Sequence, residues 1–387
     1  MPSMRHASAP AGRGRIAGRA TRTCVAAVVA WGLCGPCPAR ATPSSGSLRM
    51  VSHTSDLLSR FWGTPIDIQA AAFVPARCRR QKVTCGVLYH LPGYGGSLAT
   101  AWSTLSDYAR LSARVPRFAM AHVFLDPSFN GGYSYFTDSD NNGPWDSALT
   151  QEFIPYVETL LGVGGSARKR FLEGASSGGW TVMWLQVSNP AFFGAVWAVA
   201  PDPLDFRRFY EVDATPGSAD NFYTKPDGSP RYLTRQHGIT MQDLMQTVDD
   251  DPSHGGIISS YEFAWSPRAP DGLPARFFDR DDGGLVQDTL QAWQAYDVEQ
   301  VLERGGAPLR EALSGKVHIY CGARDDFFYN EPTSDMCRFL RSAHYSAVCR
   351  IVPGRTHGTI FKPTSRYPLG LQHLILSQAS SLARNPR

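Results

Sequence analysis

The stretch Arg170-Phe171-Leu172-Glu173-Gly174-Ala175-Ser176-Ser177-Gly178-Gly179-Trp180-Thr181-Val182-Met183-Trp184-Leu185 decides the fold. Residues 170–173 read as a short strand and residues 178–188 as a helix. Between them sits Gly174-Ala175-Ser176-Ser177-Gly178, a G-x-S-x-G. Alone the pattern is weak, since roughly one chain in three or four with this much glycine holds one by chance. Its setting gives it meaning. A nucleophile elbow places a serine on a tight, strained turn between a strand and a helix, so that the hydroxyl stands clear at the strand end. The two outer positions need glycine because a side chain there would strike the neighbouring strand or helix. The plainer reading is a Gly/Ser loop.

Outward from this turn, strands and helices alternate. Residues 66–74, 83–91, 118–125 and 193–200 read as strands, and residues 100–113 and 146–161 as helices. The order predicts a mostly parallel central sheet with helices on both faces, an α/β fold. Residues 203–285, rich in Pro, Gly, Asp and aromatics, break the pattern. They are read as a long cap-like insertion with short helices such as 240–248. Order resumes with a helix at 286–302, a strand at 317–321, a helix at 333–342, a strand at 347–352 and a last helix at 369–382. Residues 42–65 read as a polar N-terminal linker and 66–387 as the catalytic domain.

An elbow predicts three further parts. The first is an oxyanion hole built from the N–H after the nucleophile and one from an earlier loop. Ser177 supplies the first, and Tyr94, in Pro92-Gly93-Tyr94-Gly95-Gly96, is the natural second. The second part is an acid. Asp325, just past strand 317–321, is preferred; Asp326 beside it and Asp202, past strand 193–200, are the alternatives. The third part is a base. Only His344, His357 and His373 follow Asp325, and His357 sits in the loop after the last strand, where an imidazole reaches serine. Of the nearby aromatics, Trp180 and Trp184 are four apart and read as core. Trp145 and Trp265 lie in loop-like sequence and, with Asp202, are the candidates for a substrate pocket.

The chain has 387 residues, 43% hydrophobic and 19% charged, enough for a sizeable core. Its net charge of +4 comes from the leader, where residues 1–41 carry six arginines and no acid. The rest holds 32 basic residues against 34 acidic, so charge gives no reason to expect a nucleic-acid partner. The arginine-rich start, the apolar run Cys24–Leu33 and Ala39-Arg40-Ala41 read as a signal peptide over 1–41, cut before Thr42. A periplasmic or secreted location follows, and no later run is long enough for a transmembrane anchor. Five cysteines remain after cleavage. Cys78 and Cys85 flank a polar turn and are expected to close a hairpin; Cys337 and Cys349 form a second expected pair; Cys321 is left as a buried thiol. No spacing suits zinc.

The motifs Gly174-Ala175-Ser176-Ser177-Gly178-Gly179-Trp180, Asn189-Pro190-Ala191-Phe192-Phe193-Gly194 and Gly322-Ala323-Arg324-Asp325-Asp326-Phe327, with the early glycine turn, resemble the putative-esterase branch of the α/β-hydrolases, the esterase D and enterochelin-esterase-like group. Asn142-Gly143-Pro144-Trp145, Ala200-Pro201-Asp202-Pro203-Leu204-Asp205-Phe206 and Phe263-Ala264-Trp265-Ser266-Pro267-Arg268 resemble a bacterial subgroup of exported esterases. The likeness covers about 66–358 and implies a serine esterase with the triad Ser176, Asp325 and His357, needing no cofactor or metal. The branch usually has His-Gly before the oxyanion donor; here Pro92-Gly93 stands in its place. The expected reaction is hydrolysis of a small-molecule or polymer-linked carboxylic ester through an acyl-enzyme. Acyl transfer to a sugar or alcohol, and a non-catalytic binding domain on the same fold, are the competing readings.

Overall fold

The structure is a computed structural model that describes residues 46–80, 85–114, 120–129, 132–236, 238–248 and 256–384. The leader at 1–41 lies outside the described residues. Eight strands make the central sheet: β1 (Gly46–Thr54), β2 (Asp67–Pro75), β3 (Val87–Leu91), β4 (Ala121–Leu125), β5 (Arg170–Ala175), β6 (Ala195–Val199), β7 (Val317–Gly322) and β8 (Ala347–Val352). Their order across the sheet is β1-β2-β4-β3-β5-β6-β7-β8. β2 pairs antiparallel with β1 and β4; every other pairing is parallel. The carboxyl ends of β3 and β5 to β8 therefore share one edge, where ligands collect in open α/β sheets. The α/β-hydrolase expectation holds. β3, β4 and β6 are buried along their whole lengths, because helices cover both faces.

Residues 46–62 correct the linker reading. Gly46–Thr54 pairs with β2 along its full length, from Gly46↔Pro75 to Thr54↔Asp67, and a helix follows at Asp56–Trp62. β1 is an edge strand that buries only Val51, so it shows no apolar alternation. The helix carries ordinary boundary signals: Ser55 caps it by accepting from the Leu58 N–H, and Gly63 ends it at φ +68°.

The helix expected at 286–302 is two, Gln287–Trp293 and Val298–Ala312. Asp297 starts the second by accepting from the Gln300 N–H, which makes it a cap between helices. Inside the insertion, Met241–Val248 is helical as expected, and Ile257–Trp265 is a further helix. That second helix is buried nearly all round, so its sequence lacks an amphipathic stripe. It packs into an aromatic core with Phe206, Phe209, Phe277 and Trp293. Burying a side chain of this size contributes roughly 1.5–3 kcal/mol.

Cys78 is bonded to Cys85 and Cys337 to Cys349, while Cys321 is free and buried. The first bridge does not close a hairpin, because β2 and β3 are separated in the sheet by β4. No helix among the described residues is long and apolar enough to cross a membrane.

Candidate active site

Ser176 links β5 to the helix Ser177–Ser188 with φ +57° and ψ −126°, a conformation that costs an ordinary side chain about 1–3 kcal/mol. The turn is tied down. The Ser176 N–H donates to the Val199 carbonyl at 3.0 Å, and the Ser176 carbonyl accepts from Gly179 at 2.7 Å, Trp180 at 3.1 Å and Asp202 at 3.2 Å. The glycines answer to space. A Cβ on Gly174 would stand 2.2 Å from the Gly178 carbonyl oxygen, and one on Gly178 would stand 2.2 Å from the Leu91 carbonyl oxygen.

The loop after β3 lies against Ser176: a Cβ on Gly93 would be 2.9 Å from the Ser176 Cβ. Tyr133 donates its hydroxyl to the Pro92 carbonyl at 2.6 Å, and the Gly96 N–H closes a turn onto Gly93 at 3.0 Å. Tyr94 follows Gly93 with its ring half-buried, and burial raises its hydroxyl pKa. Ser177 is the first residue of the elbow helix.

Asp325 follows β7 and His357 follows β8. His357 Nδ1 is 2.8 Å from Asp325 Oδ2, and the carboxylate is fully enclosed. Asp325 Oδ1 also accepts the Phe327 N–H at 3.0 Å and the Tyr329 N–H at 3.3 Å. Asp326 has another task. Its Oδ2 accepts the His357 main-chain N–H at 3.1 Å, and its Oδ1 accepts Gln236 at 2.8 Å. Asp202 lies on the serine side, with Oδ1 3.5 Å from Ser176 Oγ. The three candidate acids thus have separate partners, and Asp325 holds the imidazole.

The insertion reaches this loop. The Arg235 guanidinium donates to the Asp325 carbonyl at 2.8 Å, and the Arg235 N–H donates to the Asp326 carbonyl at 2.8 Å. Phe327 and Tyr329 set ring edges against His357, with centroids at 4.8 and 5.6 Å. Both also line a cavity of about 780 Å³ whose lining includes the charged Arg207, Arg231 and Glu299. Ser176, Asp325 and His357 do not line it.

Trp145 and Trp265 are both deeply buried. Trp145 is 2% exposed and packs on Phe129 and Phe136; Trp265 is 1% exposed and packs on Tyr135, Trp180 and Tyr261. Trp265 ends a helix rather than lying in a loop, and it lines a surface cleft together with Phe61 and Tyr296. Asp202 is likewise fully enclosed and has no surface to offer a substrate. Trp180 and Trp184 stack at 5.6 Å, Trp180 fully buried, as core residues.

A polar cluster under the elbow was not anticipated. Glu173 Oε2 in β5 meets His90 Nδ1 in β3 at 2.7 Å; His90 Nε2 meets His122 Nδ1 in β4 at 3.0 Å; His122 Nε2 is 3.5 Å from Ser112 Oγ. Burial, reinforced by the neighbouring His90, lowers the His122 pKa well below its usual value and so disfavours its charged form. The available signal was a histidine or glutamate within each of three largely apolar strands.

The model of the family described as "Putative esterase" matches residues 65–336. The fold is similar to that of a ferulic acid esterase (14% identity, 88% of this chain and 98% of that chain, TM-score 0.54). It is also similar to an S-formylglutathione hydrolase from Agrobacterium tumefaciens (15% identity, 89% and 98%, TM-score 0.53). FphF, a fluorophosphonate-binding serine hydrolase of Staphylococcus aureus, is comparable (12% identity, 88% and 100%, TM-score 0.51). Identities this low show a shared fold. No curated protein matches the chain. The family match spans most of the chain and includes both the elbow and the acid loop: this protein belongs to the esterase family of the α/β-hydrolases.

Proposed function

We propose that the protein is an exported serine esterase that hydrolyses a carboxylic ester through an acyl-enzyme. The observation that carries this is the 2.8 Å bond between His357 and Asp325, two residues from neighbouring parallel strand ends, on the sheet edge that also bears the strained Ser176. Ser176 attacks the ester carbonyl. With Nδ1 committed to Asp325, His357 takes the serine proton at Nε2 and returns it to the leaving alcohol. Such a base contributes about 10²- to 10⁴-fold. The Tyr94 and Ser177 amides hold the oxyanion, each worth roughly 10²- to 10³-fold. Water, activated by the same imidazole, then frees the acid.

Two disulfides and the leader pattern support export. Arg235 of the insertion bonds to the acid loop, which supports residues 203–285 as a cap that shapes substrate choice. The test is a panel of ester substrates with wild type and Ser176→Ala, together with fluorophosphonate labelling. Labelling at Ser176 and loss of turnover in the variant are expected. Full activity in Ser176→Ala refutes the mechanism. Transfer of the acyl group to an added alcohol, in preference to water, would make the enzyme a transferase.

A further inference from the structure

The mechanism above makes no use of Asp202. This residue lies just past β6, after Ala200 at φ +43° and Pro201. Pro201 sits so tightly on the elbow helix that a Cβ on Gly179 would be 2.9 Å from its Cα. The Asp202 N–H donates to the Ser176 carbonyl at 3.2 Å, and Oδ1 stands 3.5 Å from Ser176 Oγ, a long hydrogen bond. Oδ2 accepts the hydroxyls of Tyr135 at 3.0 Å and Tyr261 at 2.8 Å. The run continues: the Tyr261 and Tyr210 oxygens are 3.0 Å apart, and Tyr329 donates to Tyr210 at 2.9 Å. The Tyr329 N–H then donates to Asp325 at 3.3 Å. One run of hydrogen bonds and short covalent links joins the nucleophile to the triad acid.

Backbone strain gathers along this run. Among the described residues, the non-glycine positions with positive φ are Tyr135, Phe136, Ser176, Ala200, Tyr210, Glu211, Phe328 and His344. All but His344 belong to the run or lie within two residues of a member. Each such conformation costs about 1–3 kcal/mol and persists only where the surroundings enforce it. A structural polar cluster has no need of such backbone cost, whereas exact placement of a reacting atom does.

We propose that Asp202 is a positioning residue for the nucleophile: in the resting enzyme it accepts the Ser176 hydroxyl, which turns to His357 Nε2 for the proton transfer, and the tyrosines lock its carboxylate in place. This rests on Ser176 being the nucleophile. Burial raises the Asp202 pKa, and the hydroxyls of Tyr261 and Tyr135, which donate to it, work against that rise.

The experiment measures kcat and KM for p-nitrophenyl acetate, per serine titrated with a fluorophosphonate, in wild type, Asp202→Ala, Asp202→Asn, Tyr135→Phe and Tyr261→Phe. Asp202→Ala is expected to lower kcat roughly 10- to 100-fold with KM within about threefold, the scale of a small misplacement of a reacting atom. Asn keeps one acceptor but turns a donor toward the other set of partners, so Asp202→Asn is expected to recover only part of the loss. A purely structural Asp202 would lower the titratable fraction and leave kcat per serine unchanged; that result overturns the proposal. If Asp202→Ala yields no folded protein, the tyrosine variants decide. A roughly 3- to 10-fold lower kcat per serine supports the proposal, and unchanged kcat in both refutes it. Failure of the esterase reading itself shows separately, as wild type that is not labelled at Ser176.

Discussion

Replacing Gly178 with alanine tests how the oxyanion loop is seated. The new methyl would lie 2.2 Å from the Leu91 carbonyl oxygen and 2.5 Å from that of Pro92, where ordinary contact begins near 3.4 Å. The obstructing atoms are backbone, at the very end of β3, and one side must retreat by about 1 Å. The elbow is pinned by its bonds to Val199 and Asp202, so the loop carrying Gly93 and Tyr94 yields. A displacement of that size at a reacting group costs about 10²-fold, and loss of one oxyanion donor costs 10²- to 10³-fold. A kcat about 100-fold below wild type is therefore expected, equivalent to about 2.7 kcal/mol of transition-state stabilisation. Overpacking should also lower stability by about 1–3 kcal/mol. The assay is turnover of p-nitrophenyl acetate per titrated serine, with a thermal melt to confirm folding. Gly358→Ala, beside His357 but with nothing within 4 Å of its Cβ, is the control and should stay near wild type. A folded Gly178→Ala enzyme with kcat within about threefold of wild type would refute the assignment of the oxyanion hole to this loop.

Two further outcomes follow from the geometry. Asp325→Asn should keep the fold but present the wrong hydrogen-bonding partner to His357 Nδ1, lowering kcat by roughly 10³- to 10⁴-fold; turnover near wild type in the purified variant would show that another group orients the imidazole. Burial, with the neighbouring Asp138 charge, raises the Asp146 pKa to about 7 against the bonds from Asn189. The folded form then keeps a proton that the unfolded chain has lost, so stability falls as pH rises from about 4 to 7, by at most about 1.4 kcal/mol per unit. Asp146→Asn should flatten that decline in urea denaturation across the same window, and equal slopes in both proteins would discount the Asp146 titration.

Ser176, Asp325 and His357 were legible because each occupies a position that the topology dictates: an elbow after one strand, and loops after two later ones. Asp325 was preferred over Asp326 and Asp202 from sequence, but all three acids follow strands, and it is the fold that brings Asp325 to the imidazole. The burial of Trp145 and Trp265 was hidden for a similar reason. Local sequence shows Gly, Pro and Ser around them, but burial is set by Phe129, Phe136 and Tyr135, distant in the chain or on a separate turn. β1 was missed because an exposed edge carries no period, and the helix Ile257–Trp265 because full enclosure erases one.

The Glu173–His90–His122 cluster constrains how this sequence is able to drift. Its members come from three strands, and each satisfies the next in a place closed to water. Changing any one strands its neighbour, at about 1–3 kcal/mol for a neutral group and more for a charged one. An apolar substitution at all three together escapes that cost. The paths between a polar and an apolar foundation for the elbow therefore pass through less stable intermediates, so the three positions are expected to exchange as a set. A combinatorial library varying 90, 122 and 173 jointly would reach folded variants that stepwise mutagenesis does not.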